Sequence, residues 1–324
     1  PVIHHRTERF ESFYGSLLSD LKYLFQTEGA VGTMIGSGTY GVEAAMYSLF
    51  EPGEKIAVLS MGKFSARWAD YGRILGCEVL ELKKEWMESR MPDELESALK
   101  GESNLKGLII THSETSTGAV VDLEVIAQKM RALFPDMLIV VDAITSVGAL
   151  PYYHDAWDID CTITASQKAL MNPAGLILFA MSERARNNMR PMDAGDFQHM
   201  GNYLNSAEQH SIPFPAPVIQ LYGIGAALQH IRNEGLPSIW NRCHQSAKTF
   251  RRGLKTLTGE VFAQYPSDSL TAFYFAGMDI STIKEYLLES GYELANGQGR
   301  LKGKILRISH MAEAHPDIME SVIE

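Results

Sequence analysis

The fold is decided by two apolar stretches, GLIIT at residues 107–111 and LIVV at residues 138–141, which flank a helical pattern at residues 122–134. Neither stretch alternates polar with apolar residues, so a strand formed by either one would have to be covered on both faces. Such strands, connected through helices, are typical of a parallel sheet that lies between two layers of helices. The sequence therefore predicts an α/β fold.

The alternation of helix and strand continues on both sides of this region. Toward the N-terminus we expect an amphipathic helix at 8–26, a loop with glycines, a helix-prone run at 42–49, a strand at 55–60, a helix at 64–75, a strand at 77–82 and a helix at 93–99. Toward the C-terminus two further apolar strands are expected at 161–165 and 175–180. Together these elements predict a large domain with a mostly parallel sheet.

The later part of the chain has a different pattern. Residues 184–217 form a long excursion that contains several prolines, and two helices follow it, at 218–232 and 238–257. The remainder suits a small α+β unit, with apolar or helical runs at 270–275, 279–290 and 305–309. Because 324 residues exceed what one core usually serves, we expect a large domain over 1–233 and a small domain over 234–324.

Composition limits the classes of function. Lys and Arg number 29 against 39 Asp and Glu, and the resulting net charge of −10 opposes non-specific attraction to nucleic acid or to anionic membranes. We therefore expect neither as a partner, and an anionic ligand would need a local positive site. No apolar run reaches the roughly 18 to 20 residues that span a bilayer, and the first residues do not resemble a signal peptide.

The cysteines give a further expectation. Cys77, Cys161 and Cys243 are odd in number, far apart and without CxxC spacing, so neither a disulfide framework nor a metal site is expected. A reducing cytoplasm fits this pattern. The chain begins without Met and stops within a helical pattern, so we expect both natural ends to lie outside this sequence.

A glycine-rich segment is the first candidate site. Gly36-Ser37-Gly38-Thr39-Tyr40-Gly41 directly precedes the helical run at 42–49, and converging backbone N–H groups at a helix N-terminus bind phosphate. The segment also fits GxGxxG, but the acidic residue of a dinucleotide site, expected about 20 positions later, is missing. A purely structural turn is the remaining alternative.

Two charged residues follow predicted strands. Asp142 ends the run at 138–141, where the carboxyl ends of parallel strands build sites, although a satisfied structural acid is equally compatible. Lys168 lies 26 residues later, just beyond the strand at 161–165. Flanking apolar strands would desolvate its amine and favour the neutral, nucleophilic form, whereas an isolated lysine is usually a surface residue. A phosphate loop, a strand-end acid and a strand-end amine are together what pyridoxal phosphate (PLP) requires.

These motifs identify a resemblance that covers nearly the whole chain. The sequence resembles the class V aminotransferases of PLP fold type I, in particular the branch of alanine:glyoxylate, serine:pyruvate and serine:glyoxylate aminotransferases. The motifs that carry it are His5-Arg6, Gly36-Ser37-Gly38-Thr39, Thr111-His112-Ser113-Glu114-Thr115-Ser116-Thr117-Gly118, Val141-Asp142-Ala143, Ser166-Gln167-Lys168-Ala169-Leu170, Pro173-Ala174-Gly175 and Leu306-Arg307-Ile308-Ser309-His310-Met311. The family's N-terminal Pro-Gly-Pro segment is not in this sequence.

The resemblance implies a role for each of several residues. Lys168 would form the Schiff base with PLP and Asp142 would face the pyridine nitrogen. The other implied cofactor contacts are Ser37, Gly38, Thr39 and Gln167 at the phosphate, Phe64 and Ile144 on the two faces of the ring, Thr115 at the ring hydroxyl, and Ser211 reaching the phosphate of a neighbouring subunit. For Phe64 a plain core position is the alternative. His112 and Glu114 are left outside the catalytic set, because polar residues at a strand end often satisfy loop backbone groups.

The resemblance also implies a reaction and a partner. Arg307 would bind the substrate carboxylate, with an internal ion pair as the alternative. The implied enzyme is a homodimeric ping-pong transaminase that moves an amino group from alanine or serine to glyoxylate or pyruvate. Glu208 departs from the tyrosine or basic residue expected near Ser211, which leaves that contact between subunits undefined. The alternatives are a 2-aminoethylphosphonate:pyruvate transaminase, a cysteine desulfurase or lyase, for which the late loop at 296–299 contains no cysteine, and a silent assembly subunit.

Overall fold

The computed structural model describes residues 3–88, 92–193 and 195–324. Its helices are α1 (Glu8–Phe25), α2 (Gly38–Leu49), α3 (Lys63–Ile74), α4 (Pro92–Leu99), α5 (Leu123–Leu133), α6 (Glu183–Asn187), α7 (Met200–Ala207), α8 (Val218–Glu234), α9 (Leu236–Thr256), α10 (Ile280–Glu289) and α11 (Pro316–Ile323). Its strands are β1 (Ala30–Gly36), β2 (Lys55–Ser60), β3 (Glu78–Lys83), β4 (Leu105–Thr111), β5 (Ser113–Glu114), β6 (Ala119–Val120), β7 (Leu138–Asp142), β8 (Cys161–Ala165), β9 (Gly175–Met181), β10 (Glu260–Val261), β11 (Leu270–Tyr274), β12 (Ala295–Asn296) and β13 (Leu306–Ser309).

A seven-stranded sheet forms the centre of the larger part of the chain, in the order β1-β9-β8-β7-β4-β2-β3. The pairs from β3 through β8 are all parallel, whereas β9 is antiparallel to both of its neighbours. Strands β4, β7 and β8 are adjacent, and their core residues are fully buried, as their continuous apolar sequences predict. Their carboxyl ends therefore meet at one edge, and the segments that follow them lie side by side.

A four-stranded antiparallel sheet, in the order β10-β11-β13-β12, forms the smaller part of the chain. Helix α9 connects the two parts, because its first half is buried in the main core and its second half packs on this sheet. Cys243 belongs to the first cluster, and Phe250 and Leu254 belong to the second. The α+β pattern expected after the excursion is therefore present.

Strand β1 corrects one expectation, since its residues fall where the sequence indicated a loop with glycines. Gly32 is needed for packing across the sheet, because a Cβ atom there would lie 2.6 Å from Cζ of Phe179 on β9. The glycines that suggested a loop thus mark a strand in close contact with an aromatic ring. The excursion at 184–217 also contains regular structure, since α7 and the last part of α6 lie within it.

None of the helices among the described residues combines the length and the apolar character that crossing a membrane requires.

Candidate active site

Asp142 is the last residue of β7, and its side chain is buried at the carboxyl edge of the sheet, with 4% of its surface exposed. Trp68 Nε1 donates to Asp142 Oδ2 at 3.1 Å, and the backbone N–H of Ile144 donates to Oδ1 at 3.1 Å. Burial raises the pKa of Asp142 to about 7, and the charge of Glu114 acts in the same direction. Within the described chain Asp142 has no ion-pair partner. It is therefore a buried carboxyl group with which a bound cation could form an ion pair.

Lys168 lies in the turn after β8, the strand next to β7. Burial lowers the pKa of its amine, the positive charge of Arg307 lowers it further, and the charge of Asp142 opposes both effects. The structure thus brings Lys168 into electrostatic contact with both Asp142 and Arg307. A lowered pKa increases the fraction of neutral amine, which is the nucleophilic form.

The glycine-rich segment runs from the end of β1 into the first turn of α2, where Gly38 lies against Ile144 and Ala165, which are close in sequence to Asp142 and Lys168. Ser37 is the N-cap, and its Oγ accepts from the N–H of Tyr40 at 3.3 Å. A Cβ atom on Gly38 would lie 2.4 Å from Cδ1 of Ile144, so only glycine permits this approach to the segment after Asp142. The first amide groups of a helix have no intrahelical acceptors, and this turn therefore offers donors to an anion.

Glu114 connects the segment after β4 to the start of α3. It is fully buried, and its carboxylate accepts hydrogen bonds from the backbone N–H groups of Phe64, Ser65 and Ser116 and from the Ser65 and Ser116 hydroxyl groups, at 2.6 to 3.3 Å. Gly62, the N-cap of α3, supplies no side chain for these amides, so Glu114 caps the helix from another element. It thereby fixes the position of Phe64.

Arg307 extends from β13 in the small sheet toward the main sheet. Its Nε and Nη2 donate to the carbonyl oxygen of Asn296 at 3.0 and 2.8 Å, and its Nη1 donates to the carbonyl of Thr115 at 2.8 Å. Across residues 3–88, 92–193 and 195–324 no carboxylate forms an ion pair with it. Neutral carbonyls orient the guanidinium but do not neutralise it, so the internal ion pair considered from sequence is not present there.

Other predicted residues lie at different distances from this centre. Thr115 Oγ1 donates to Thr145 Oγ1 at 3.2 Å, and Gln167 is exposed in the turn that carries Lys168. Ser211 donates its backbone N–H to Ser206 after α7, and no described contact joins it to the residues above. Glu208 is exposed and pairs with Arg186 at 2.5 Å.

His112 points away from the site into an aromatic cluster, with ring centroids 5.8 Å from Tyr152 and 6.1 Å from Trp157. Burial lowers the pKa of His112 to about 4, so the ring is neutral at ordinary pH. Its packing suits a structural role, in line with its omission from the catalytic set.

Comparison with known proteins identifies the family. The family model described as "Aminotransferase class-V" matches residues 2–311. The chain belongs to the class V aminotransferases. This membership confirms the resemblance found in the sequence motifs and the prediction of a transaminase, and it implies the PLP cofactor.

Curated relatives cover most of the chain. A protein of Anabaena cylindrica named "Soluble hydrogenase 42 kDa subunit" is 34% identical over 316 residues, which are 95% of this chain and 82% of that protein. The serine–glyoxylate aminotransferase of Methylorubrum extorquens is 30% identical over 326 residues, covering 95% of this chain and 80% of that enzyme. The two relatives are named for different activities. What the sequence comparison establishes for this chain is therefore its family.

A solved structure agrees over the whole chain. The aspartate aminotransferase of subgroup IV from Thermus thermophilus matches with a TM-score of 0.93 and 28% identity, covering 100% of this chain and 91% of that one. This agreement confirms the α/β architecture of the fold type I aminotransferases. The class V chain described here therefore has both the sequence and the fold of the family.

The residues present fit the cofactor that the class V family implies. Gly38 packs so closely against Ile144 that a Cβ atom would clash there, and the turn it begins offers amide donors to an anion. The buried Asp142 lacks a cation partner among the described residues. The neutral form of Lys168 is favoured by burial. The phosphate of PLP would lie at the turn that contains Gly38, its protonated ring nitrogen at Asp142 and its aldehyde at Lys168.

Sequence reasoning missed two residues of this class V site, Trp68 and Arg67. Trp68 donates to Asp142 and to Thr111 Oγ1, and Arg67 Nη1 donates to Thr39 Oγ1 at 2.8 Å. Both lie on α3, three and four residues after Phe64, which places all three side chains on one side of the helix. That spacing from an aromatic residue already assigned to the site was the available signal.

The three cysteines are not among the residues that form the site described above. All three cysteines are free and buried, and burial raises the pKa of Cys243 to about 11, which disfavours the thiolate. Among the described residues no group of three or more His, Cys, Asp or Glu side chains is arranged to hold a metal ion.

Proposed function

We propose that this protein is a PLP-dependent aminotransferase that moves the amino group of a small amino acid, alanine or serine, to glyoxylate or pyruvate by a ping-pong mechanism. One observation carries the proposal: Arg307, a cation without a described counter-carboxylate, lies close enough to Lys168 for its charge to lower the pKa of the amine. A site that places a free guanidinium near an amine of lowered pKa can hold a carboxylate while the amine acts on the neighbouring carbon.

The cofactor would be held by residues from five segments of the chain. When bound, PLP supplies an aldehyde that accepts an amino group and a ring that withdraws electrons from the adjacent carbon. Ser37, Gly38, Thr39 and Gln167 would hold its phosphate, Phe64 and Ile144 would cover the two ring faces, and Thr115 would meet the ring hydroxyl. Asp142 would accept a hydrogen bond from the protonated ring nitrogen, while Trp68 donates to the same carboxylate and holds it in place.

Lys168 performs two steps in this proposal. With PLP present, the Lys168 amine would hold it through its aldehyde carbon with loss of water, and the amino group of the donor would then take the place of the lysine. The freed amine of Lys168 would then take the proton from the donor Cα and pass it to the cofactor, and addition of water would release the donor as a keto acid. The second substrate, a keto acid, follows these steps in reverse and leaves as an amino acid.

Arg307 accounts for the class of substrate. A guanidinium offers two parallel N–H groups to a carboxylate, and both the amino acid and the keto acid carry one. A dicarboxylic donor such as aspartate requires a second cation, and a phosphonate donor presents a tetrahedral group instead of a planar one. The planar match between Arg307 and a carboxylate therefore favours small amino acids over 2-aminoethylphosphonate.

The desulfurase alternative lacks a nucleophile in the described site. Residues 296–299 contain no cysteine, and Cys243 is buried within α9 with a raised pKa. A thiol in that environment neither ionises readily nor reaches a substrate.

Coupled assays test this function directly. Alanine, serine, aspartate and 2-aminoethylphosphonate are each supplied as donor with glyoxylate and with pyruvate, and the amino acid and keto acid products are both measured. Turnover with alanine or serine is expected. Turnover of 2-aminoethylphosphonate without activity toward either amino acid would refute the substrate assignment and leave the family assignment intact.

Replacing Arg307 with lysine should raise KM for both the amino and the keto substrate by roughly 10- to 100-fold, because an ammonium group cannot form the paired hydrogen bonds. PLP binding, measured by absorbance titration, should persist. Lys304→Arg, on the exposed turn before β13, is the matched control and should leave both KM values unchanged. Equal KM values in Arg307→Lys and the wild type would remove Arg307 from the substrate site.

We further propose that the enzyme is a homodimer in which Ser211 completes the site of the neighbouring subunit. The support is that Ser211 has no described contact with the other cofactor residues of its own chain, although the resemblance assigns it to the phosphate. Light scattering should give twice the mass of one chain. Inactive Ser211→Ala and Lys168→Ala proteins, when mixed, should recover part of the activity, whereas an active monomer would disprove the shared site.

Two coarser proposals concern the chain as a whole. We infer a division into domains at 233/234, which is supported by the separate apolar clusters on the two sheets, although α9 contributes to both. A cytoplasmic location is supported by the three free cysteines, which are typical of proteins from a reducing compartment.

A further inference from the structure

Arg67 lies beside the glycine-rich turn and contacts two residues of the cofactor site. Its Nη1 donates to Thr39 Oγ1 at 2.8 Å, and its guanidinium carbon is 5.3 Å from the centre of the Phe64 ring. The hydroxyl and the ring therefore fix the direction of the guanidinium. They place a full positive charge between the first turn of α2 and the start of α3.

The charge of Arg67 is not neutralised by the described part of the chain. None of the described carboxylates lies within ion-pair distance of Arg67, and its hydrogen-bond acceptor in Thr39 is neutral. Glu43 forms no ion pair with Arg67, although the two charges interact: burial raises the pKa of Glu43 and the charge of Arg67 partly opposes that effect. Arg67 thus keeps both its charge and further N–H donors for a ligand.

An anion at this turn needs such a charge. The chain carries a net charge of −10, and the four residues already assigned to the phosphate, Ser37, Gly38, Thr39 and Gln167, are all neutral. The amides of a helix N-terminus contribute only about half an elementary charge, whereas a phosphate monoester carries nearly two negative charges. Arg67 supplies the positive charge that these neutral donors lack.

The hydrogen bond to Thr39 also determines which way the Thr39 hydroxyl can donate. Arg67 occupies a lone pair of Oγ1, so the hydroxyl hydrogen must point away from the guanidinium. That hydrogen is then available to an oxygen of the ligand, while a second guanidinium N–H can reach the same group. One arginine therefore orients a neutral donor and adds a charged one.

We propose that Arg67 is a phosphate-binding residue of the cofactor site and that it orients the Thr39 hydroxyl toward the same phosphate. This inference rests on the proposed function, because it presumes that PLP occupies the turn. It differs from an assignment to the substrate, since Arg307 already serves the carboxylate. Its consequence is that Arg67 should affect ligands that carry a phosphate and leave otherwise identical ligands unaffected.

The test compares PLP with pyridoxal, which has the same ring and aldehyde but no phosphate. Apoenzyme is titrated with each compound, and dissociation constants are obtained from absorbance and from calorimetry, for wild type, Arg67→Gln, Arg67→Lys and Arg73→Gln. Arg73 is the matched control, because it lies on the same helix and forms surface ion pairs with Asp70 and Glu81. Inorganic phosphate serves as a competitor, and melting curves establish that each variant is folded.

In the wild type PLP should bind much more tightly than pyridoxal. Arg67→Gln should reduce this preference by roughly 10- to 100-fold, Arg67→Lys should reduce it less, and Arg73→Gln should keep it unchanged. Competition by inorganic phosphate should weaken in Arg67→Gln. If folded Arg67→Gln kept the full preference for PLP, or lost affinity equally for both compounds, the phosphate-binding role of Arg67 would be overturned. The proposed function would still stand. A wild type that binds no PLP would overturn the proposed function and, with it, this inference.

Discussion

Lys168→Ala should lose transaminase turnover by at least about 10⁴-fold, because the substitution removes both the nucleophile for the cofactor aldehyde and the base for the Cα proton. Borohydride reduction of the wild-type holoenzyme, followed by peptide mapping, should locate the pyridoxyl label on the peptide that contains Lys168. Lys248→Ala, on the exposed surface of α9, is the control and should retain both the label and the activity.

The pH dependence of attachment provides a second measurement for Lys168. Because burial and Arg307 lower the pKa of the amine, the neutral form appears at lower pH than in an ordinary lysine, and covalent attachment should begin there. Removing the Arg307 charge should move that onset to higher pH. Small primary amines added to Lys168→Ala should restore part of the turnover, since they supply a mobile base. A label on a different lysine would end the assignment.

Asp142→Asn should retain PLP and lose turnover by roughly 10²- to 10³-fold, because a neutral amide cannot keep the ring nitrogen protonated. The hydrogen bonds from Trp68 and from the Ile144 backbone hold this side chain in place, so the loss reports charge more than position. Single-turnover rates with alanine and with pyruvate measure both halves of the reaction. Near wild-type rates in both would contradict the pairing of Asp142 with the ring nitrogen.

Stability of the apoenzyme gives an independent readout for Asp142. Its pKa rises from 3.8 in the unfolded chain to about 7 in the folded protein, so its contribution to stability is present below pH 3.8 and is lost as the pH rises toward 7. Asn does not ionise. The melting temperature of the variant minus that of the wild type should therefore increase between about pH 4 and pH 7, and a constant difference would show that Asp142 ionises without penalty.

The sequence predicted the parts of this site that follow from strand order. Asp142 and Lys168 each follow an apolar strand, and the structure places those two strands next to each other in parallel. Their proximity could be foreseen, because neighbouring parallel strands end at the same edge. Gly38 lies in the first turn of α2, where the helical run after the glycines predicted it, and its assignment to a phosphate stays a prediction.

The contacts that sequence reasoning missed join elements that are distant in the sequence. Glu114 receives its donors from the start of α3, about 50 positions away, and no local pattern encodes that pairing. For Arg307 the sequence left an internal ion pair as the alternative to substrate binding, and the described chain instead orients it through the carbonyls of Asn296 and Thr115. Every residue has a backbone carbonyl whatever its side chain, so the sequence cannot indicate which carbonyls accept from Arg307, and only the folded structure shows it.

The capping of α3 by Glu114 constrains how this position can change during evolution. Five donors saturate the two oxygens, and an aspartate would be one methylene too short to reach them. A glutamine would direct its own N–H group at the backbone N–H of Ser65 or Ser116, which neither backbone position can avoid. A substitution at residue 114 therefore requires a simultaneous change in the backbone at the start of α3. Residue 114 and the start of α3 should vary together across homologues or not at all.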